Sequence, residues 1–285
     1  MGIGILEADR SVRGQPEPPA SAILDARPHD QFQAGHIPGA TWLGWEGWCE
    51  SAPDSAGPVL AQGGYWGVMT TASAPLLGRR LAAQGLCGDR PIVVYADGPR
   101  SRGREGRVAW MLLYLGAPTV YLLDGGWSGW LAHGGKAPIG TPSPATDHFT
   151  ARFQPERRQT LRALRACYRA ATLPVLVDTR SQSEFDGEIQ EYLPRRGHLP
   201  GALLLPFTSL FAPDGRYIPR EQYLSRLPEG ARQATSLVSY CEVAVRASLF
   251  ALLHETYTGQ IVAVYDGSVM QWFLEHDLPM ENARS

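Results

Sequence analysis

Two residues in this chain stand out as suited to chemistry, Cys241 and Arg246. A mostly apolar run at 237–240 precedes the cysteine, and the pattern after it predicts a short loop and then a helix whose first turn carries the arginine. Loop N–H groups and the positive end of the helix dipole favour a thiolate, which predicts that the cysteine is a nucleophile. The loop around the sulfur is predicted to comprise Glu242, Val243, Ala244, Val245 and Ala247.

A buried, inert cysteine is the alternative for Cys241, because free cysteines are among the most buried residues in proteins. The order strand, cysteine, loop, arginine, helix favours the nucleophile. The other cysteines, Cys49, Cys87 and Cys167, lie far apart and form no C-x-x-C pair. The sequence therefore predicts four free thiols, without a disulfide framework and without a structural zinc site.

A repeat organises the rest of the chain. An Asp-x-Arg motif that ends at Arg27 is followed by Gly-His-Ile-Pro-Gly-Ala at 35–40, and the same pair of motifs recurs at Arg180 and at 197–202. The second copy carries an insertion around residues 187–196. The period is one whole domain, too long for a solenoid, and indicates two tandem domains.

The domain boundaries follow from this repeat and from a proline-rich stretch. Residues 1–135 are predicted to be an N-terminal domain without catalytic activity, because counting along the repeat pairs Asp97 with Cys241. Residues 136–159, rich in proline and without apolar periodicity, are predicted to be a linker. Residues 160–285 are predicted to be the catalytic domain.

Short apolar runs alternate with helical stretches in both halves. In the first half, predicted strands at 23–25, 92–95 and 120–123 alternate with predicted helices at 75–84 and 107–115. This alternation predicts two α/β domains, each with a central, mainly parallel sheet flanked by helices. Reactive groups in such sheets lie at the carboxyl ends of strands, which is where the sequence puts the reactive cysteine.

Composition excludes several classes of protein. The formal net charge of −2 gives no sign of a nucleic-acid or membrane-surface partner. No run of about 18 apolar residues is present, and the first ten residues lack the basic start and apolar core of a secretory signal. We therefore expect a cytoplasmic protein of about two domains.

The repeated motifs, residues 124–127 and the Cys241 loop together resemble the tandem-domain rhodanese family of sulfurtransferases, over nearly the whole chain. The resemblance implies that a donor such as thiosulfate or 3-mercaptopyruvate passes a sulfane sulfur to Cys241. The resulting persulfide then gives the sulfur to cyanide or a thiol. The expected partners are thus a small-molecule donor and acceptor, with a protein sulfur acceptor as a further option, and the reaction needs no cofactor or metal.

Two arginines are candidate substrate-binding residues. Arg180 matches the arginine that binds the donor's sulfonate or carboxylate in the family, and a guanidinium suits that bidentate contact. Arg27 has the same place in the half without the cysteine, so a structural ion pair is the alternative. Arg246 is expected to bind the donor, orient the loop, or pair with an acidic residue such as Glu242 or Asp178.

Two other functions stay open on the sequence alone. A Cys-dependent phosphatase or arsenate reductase has the pattern Cys-x5-Arg, whereas this chain has Cys-x4-Arg from Cys241 to Arg246. The shorter loop favours a single sulfur atom over a tetrahedral oxyanion. A sulfur carrier or protein-binding module that does not turn over small acceptors is the other alternative.

Glu242 and Val243 distinguish this loop from the two loop types of the rhodanese family, the thiosulfate type and the mercaptopyruvate type. Thiosulfate-type loops carry cationic residues after the cysteine, and mercaptopyruvate-type loops read Cys-Gly-Ser-Gly-Val. Ala244 stands where those loops have the second glycine. We expect the Glu242 carboxylate to point to the mouth of the loop, where it would repel a dianionic donor. The loop therefore does not identify the donor.

Overall fold

Two five-stranded sheets, one from each half of the sequence, are present in the computed structural model, which describes residues 2–7, 22–140, 148–189 and 195–282. The strands of the first sheet are β1 (Gly2–Glu7), β2 (Ala22–Asp25), β3 (Thr41–Trp42), β4 (Ile92–Tyr95) and β5 (Thr119–Asp124). The strands of the second are β6 (Arg158–Gln159), β7 (Val175–Asp178), β8 (Leu203–Leu204), β9 (Leu237–Tyr240) and β10 (Ala263–Tyr265).

Helices connect these strands. In the first half they are His29–Ala34, Gly57–Leu60, Ala74–Ala82, Arg104–Tyr114 and Gly126–Ala132. In the second half they are Leu161–Arg169, Gln182–Phe185, Arg220–Arg226, Glu229–Gln233, Val245–Thr258 and Ser268–Phe273. None of the helices in the described residues combines the length and the apolar character that crossing a bilayer requires.

Both sheets have the same strand order. The first runs β1-β5-β4-β2-β3 and the second β6-β10-β9-β7-β8, and every pairing is parallel. Each of the central strands β4 and β9 is buried along its whole length, as expected for a parallel sheet covered on both faces. The predicted α/β fold, with a parallel sheet in each half, is confirmed.

The chain forms two compact units that do not follow the sequence order. The first consists of Met1–Trp45, Thr71–Pro155 and Phe211–Tyr217, and the second of Glu46–Thr70, Glu156–Leu210 and Ile218–Ser285. Each unit thus holds one sheet and also a segment from the other half of the sequence.

Parts of two predicted segments lie outside the described residues. Of the predicted linker at 136–159, residues 141–147 are not described, and its last two residues form β6. Of the insertion around 187–196, residues 190–194 are not described.

Candidate active site

Cys241 directly follows β9, the middle strand of the second sheet, and helix Val245–Thr258 begins four residues after it. The cysteine therefore lies at the carboxyl edge of the sheet, where strands of an open α/β fold present reactive groups. It is buried, with 1% of its surface exposed. Only three residues separate it from the helix, so the loop is tight around the sulfur.

Ala244 makes this tight loop by adopting the left-handed conformation. Its φ is +65°, a region that costs a non-glycine residue about 1 kcal/mol. The Ala244 carbonyl accepts hydrogen bonds from the N–H of Ser248 at 3.0 Å and from its hydroxyl at 2.7 Å, which fixes the start of the helix. These contacts hold a residue that is strained by itself.

Ser268 holds the backbone of the cysteine. Its hydroxyl accepts the N–H of Cys241 at 3.2 Å and donates to the carbonyl of Tyr265 at 2.9 Å. Ser268 also has a left-handed φ of +51°. Sequence reasoning missed this residue, because the hydrogen bond joins positions 27 residues apart.

Arg246 lies in the first turn of the helix and forms a two-pronged ion pair with Glu184. Its Nη1 donates to Glu184 Oε2 at 2.9 Å and its Nη2 to Glu184 Oε1 at 2.8 Å. Burial opposes the charge of Arg246, but the bonds to Glu184 and the attraction of a Cys241 thiolate raise its pKa. Arg246 is thus a charged neighbour of the sulfur. Both of its terminal nitrogens are bound to the Glu184 carboxylate.

Glu184 is placed by its own helix. Ser181 caps helix Gln182–Phe185, accepting the Glu184 N–H at 3.3 Å, while the Glu184 carboxylate accepts the Ser181 N–H at 2.9 Å. Burial would raise the pKa of Glu184, but the hydrogen bonds and charge of Arg246, with the Ser181 bonds, lower it to about 2. Sequence reasoning missed Glu184, although the pattern Ser-x-x-Glu is a readable capping signal.

Glu242, predicted to face the mouth of the loop, lies beside the same arginine. Its Oε2 is 3.7 Å from Arg246 Nη2, and 15% of its side chain is exposed. The Arg246 guanidinium therefore has two carboxylates within reach, those of Glu184 and Glu242. The loop positions Val243, Val245 and Ala247 are buried around the cysteine.

Arg180 is buried next to β7, and its guanidinium binds protein groups. Its Nη2 donates to Asp178 at 2.7 Å and to the carbonyl of Gly197 at 2.8 Å, and its Nε also donates to Asp178. Burial disfavours the charge, but the attraction and hydrogen bonds of Asp178 raise the pKa of Arg180. This placement argues against the donor-binding role predicted from the sequence.

Arg27 has the same arrangement in the half without the cysteine. Its Nε and Nη2 donate to Asp25, and its Nη2 also reaches the carbonyl of Gly35 at 2.6 Å. The two halves thus share one buried ion pair that ties a strand end to the following turn. This agreement favours the structural ion pair as the role of Arg180.

A tyrosine in each half fixes how the two halves correspond. Tyr95 pairs with Asp25 across β4 and β2, and Tyr240 pairs with Asp178 across β9 and β7. Each tyrosine hydroxyl is hydrogen-bonded to its aspartate. The two tyrosines are therefore equivalent positions.

Ala96, and not Asp97, consequently occupies the position of Cys241. Each follows its tyrosine, and each carbonyl accepts an equivalent bond, from the N–H of Trp127 to Ala96 at 2.7 Å and from that of Val269 to Cys241 at 3.2 Å. The predicted pairing of Asp97 with the cysteine was displaced by one residue. Either way, the first half has no nucleophile at this position.

The helix that follows the equivalent loop of the first half, Arg104–Tyr114, carries a buried acid, Glu105. Burial raises the pKa of Glu105 to about 7, although its own backbone and hydrogen bonds from Ser101 and Tyr217 act against the rise. Between about pH 4.5 and about pH 7, Glu105 therefore keeps its proton in the folded protein but has lost it in the unfolded chain, where its pKa has the ordinary value of 4.5. The free energy of unfolding should fall by up to about 3 kcal/mol as pH rises through this interval.

Denaturant unfolding of wild type and Glu105→Gln at about pH 5 and about pH 8 checks this prediction. The neutral amide cannot titrate, so the stability of the variant relative to wild type should rise between the two values. If the free energy of unfolding changes equally with pH in the two proteins, Glu105 does not titrate in this range.

The sequence model of the rhodanese-like domain matches residues 10–133 and 159–275. The chain belongs to the rhodanese-like family. The chain is 33% identical, over 256 residues, to a probable 3-mercaptopyruvate sulfurtransferase of Pseudomonas aeruginosa, with 87% of this chain and 85% of the relative covered. It is 27% identical, over 256 residues, to the sulfur carrier protein TtuD of Thermus thermophilus, with 85% and 83% covered.

A solved structure has the same fold as this chain. SseA from Escherichia coli, described as a 3-mercaptopyruvate sulfotransferase, matches with a TM-score of 0.75 over 93% of this chain and 98% of that protein. The sequence identity is 23%, so this match supports the shared two-domain fold.

Proposed function

We propose that this member of the rhodanese-like family is a sulfurtransferase in which Cys241 carries the transferred sulfur as a persulfide. The observation that carries the proposal is the position of Cys241, which follows the central strand β9 and precedes the start of helix Val245–Thr258. Backbone amides and the helix dipole favour an anionic sulfur at such a position. The activity named for the relative from Pseudomonas aeruginosa supports the same reaction class.

The reaction has two steps. The Cys241 thiolate attacks the sulfane sulfur of the donor, a new S–S bond forms, and the donor remnant leaves with the electron pair of the broken bond. A thiolate or cyanide then attacks the outer sulfur and takes it, and the Cys241 thiolate leaves. Loop amides stabilise the negative sulfur in both steps.

The two arginines have supporting roles in this proposal. Arg246 contributes positive charge near the sulfur while Glu184 holds its side chain, which makes it a positioning residue for the loop. Arg180 secures the end of β7 through Asp178 and is not assigned to the donor. Both roles follow from the bonds that tie each guanidinium group to a protein carboxylate.

The phosphatase alternative fits this geometry less well. A phosphatase needs the loop arginine to clamp an oxyanion through two parallel N–H groups. Here both terminal nitrogens of Arg246 donate to Glu184. A non-catalytic sulfur carrier remains distinct, because it would hold a persulfide without releasing it to small acceptors.

Assays with thiosulfate, 3-mercaptopyruvate and a phosphate ester, using cyanide and dithiothreitol as acceptors, test the proposal. Intact mass after incubation with each sulfur donor should show one added sulfur, and an acceptor should remove it with turnover. A persulfide that forms but does not turn over would favour the carrier. Hydrolysis of the phosphate ester without sulfur transfer would favour the phosphatase.

Glu242 is proposed to disfavour small dianionic donors. Glu242→Gln should raise kcat/KM for thiosulfate a few-fold, because two unit charges about 4 Å apart interact by about 1 kcal/mol in a water-like medium. The gain should shrink as salt screens the interaction. Glu221→Gln makes the same charge change at an exposed position of helix Arg220–Arg226 and is the control. Unchanged kinetics of Glu242→Gln at low ionic strength would remove Glu242 from the donor path.

A cytoplasmic location is part of the proposal. All four cysteines are free thiols, and thiols stay reduced in the cytosol. The proposed partners are a small-molecule sulfur donor and a thiol or cyanide acceptor. The named function of TtuD makes a protein acceptor a reasonable addition to the assays.

A further inference from the structure

Gly67 lies against the active-site loop although it comes from the first half of the sequence. Both belong to the second compact unit. A Cβ atom on Gly67 would lie 2.3 Å from the carbonyl oxygen of Val243 and 2.6 Å from that of Asp266. Distances below 3.0 Å are essentially never seen for a real Cβ, so only glycine fits without movement of the backbone. The glycine is thus required by close approach.

An ion pair fixes the chain two residues after this glycine. The Met69 N–H donates to Asp266 Oδ2 at 2.7 Å, and Arg158 Nη2 donates to the Met69 carbonyl at 3.2 Å. Arg158 and Asp266 are themselves paired at 2.8 Å, and the Asp266 side chain is almost fully buried. Both polar groups of the Met69 backbone are therefore held by one buried pair.

The contact at Gly67 constrains the peptide group between Val243 and Ala244. In a trans peptide the C=O and the following N–H point in opposite directions. Because the Val243 carbonyl oxygen faces Gly67, the N–H of Ala244 points away from Gly67. Ala244 is the residue held in the left-handed conformation, so a rotation of this peptide would disturb the tightest point of the loop.

We propose that residues 67–69 brace the loop at 242–244, which follows Cys241, and that Gly67 is a positioning residue for sulfur transfer. The inference rests on the proposed function of Cys241. The buried pair holds Met69, Met69 holds Gly67 against Val243, and this contact sets the direction of the Ala244 N–H. In this proposal the Ala244 N–H is one of the loop amides that donate to the loaded sulfur, and the contact orients it before the sulfur arrives.

Gly67→Ala tests the brace, with Gly63→Ala as the matched control in the same segment. A Cβ on Gly63 would meet nothing within 4 Å. The rate constant for loading Cys241 from thiosulfate or mercaptopyruvate is measured at a temperature at which circular dichroism shows all proteins folded. We expect Gly67→Ala to load at least about tenfold more slowly, since small misplacements of catalytic groups cost that much. The donor KM should change far less than kcat.

Equal loading rates for Gly67→Ala, Gly63→Ala and wild type would overturn the brace, even if Gly67→Ala melts at a lower temperature. If wild type itself takes up no sulfur on Cys241, the proposed function fails instead, so the two failures are distinguishable.

Hydrogen exchange of the wild type provides a second test that does not depend on a variant that folds. Loading Cys241 with sulfur should slow amide exchange in residues 242–245 and, because the two segments move as one, in residues 67–69 as well. Residues 57–64 should be unaffected. Protection confined to 242–245 would overturn the proposal.

Discussion

Cys241→Ser is expected to lose sulfur transfer by about three orders of magnitude or more, because removing a covalent nucleophile has effects of that size. The hydroxyl of serine is a far weaker nucleophile at neutral pH and cannot form a persulfide. Intact mass should show no added sulfur on the variant after incubation with thiosulfate or mercaptopyruvate. Thermal unfolding should stay close to wild type, since the two side chains differ little in size.

Serine variants of Cys49, Cys87 and Cys167 are the controls. Each of these three cysteines is partly buried, and none of them follows a central strand. Each variant should therefore load one sulfur at nearly the wild-type rate. Peptide mapping of the loaded wild type should locate the sulfur on Cys241. Sulfur on one of the other cysteines, or full activity in Cys241→Ser, would contradict the assignment.

Arg180→Ala and Arg27→Ala are each expected to lower the free energy of unfolding by about 3–5 kcal/mol, because each leaves a buried carboxylate without its cationic partner. Asp178 and Asp25 are both fully buried, and each accepts several bonds from its arginine. The two losses should be similar in size, since the halves share the arrangement. Denaturant unfolding, followed by probes in both halves, measures them.

Arg169→Ala is the control for these two variants. Arg169 pairs with Asp277 at 2.7 Å but is 64% exposed, and exposed pairs contribute at most about 1 kcal/mol. Folded Arg180→Ala, assayed in the cold, should keep a donor KM within a few-fold of wild type. A large rise in KM for anionic donors in Arg180→Ala alone would restore the donor-binding role.

The fold could be predicted because its signals are local. The buried strands read as short apolar runs, and the repeated Asp-x-Arg and Gly-His-x-Pro-Gly-Ala motifs mark equivalent points of two domains. The position of Cys241 between β9 and helix Val245–Thr258 also follows from adjacent residues. Residues 2–7 are not predicted to form a strand, because Gly2 and Gly4 interrupt their short apolar pattern. β1 takes its place at the edge of the sheet by pairing with β5.

The correspondence of Ala96 with Cys241 could not be obtained by counting, because the two halves differ in length before these positions. Tyr95 lies 70 residues after Asp25, whereas Tyr240 lies 62 residues after Asp178. The pairing of each tyrosine with its aspartate supplies the correct register.

The surroundings of the cysteine depend on contacts between residues far apart in sequence. Glu184 and Arg246 are 62 residues apart, and Met69 and Asp266 are 197 residues apart. No periodicity or motif links such positions in a single sequence. The role of Arg180 was ambiguous for a related reason, since a buried ion pair and a donor clamp require the same residue type.

Each compact unit includes a segment from the other half of the sequence, so the two copies of the duplicated domain cannot be separated by a single cut of the chain. The unit that contains Cys241 includes Glu46–Thr70, and the other unit includes Phe211–Tyr217. Cutting the chain in the region of 136–159 would leave the fragment that contains Cys241 without Gly67 and Met69, and Asp266 would lose one of its partners. Although the first half has no cysteine at the position equivalent to Cys241, it supplies residues 46–70 to the compact unit that contains Cys241, so removing the first half would also remove that segment.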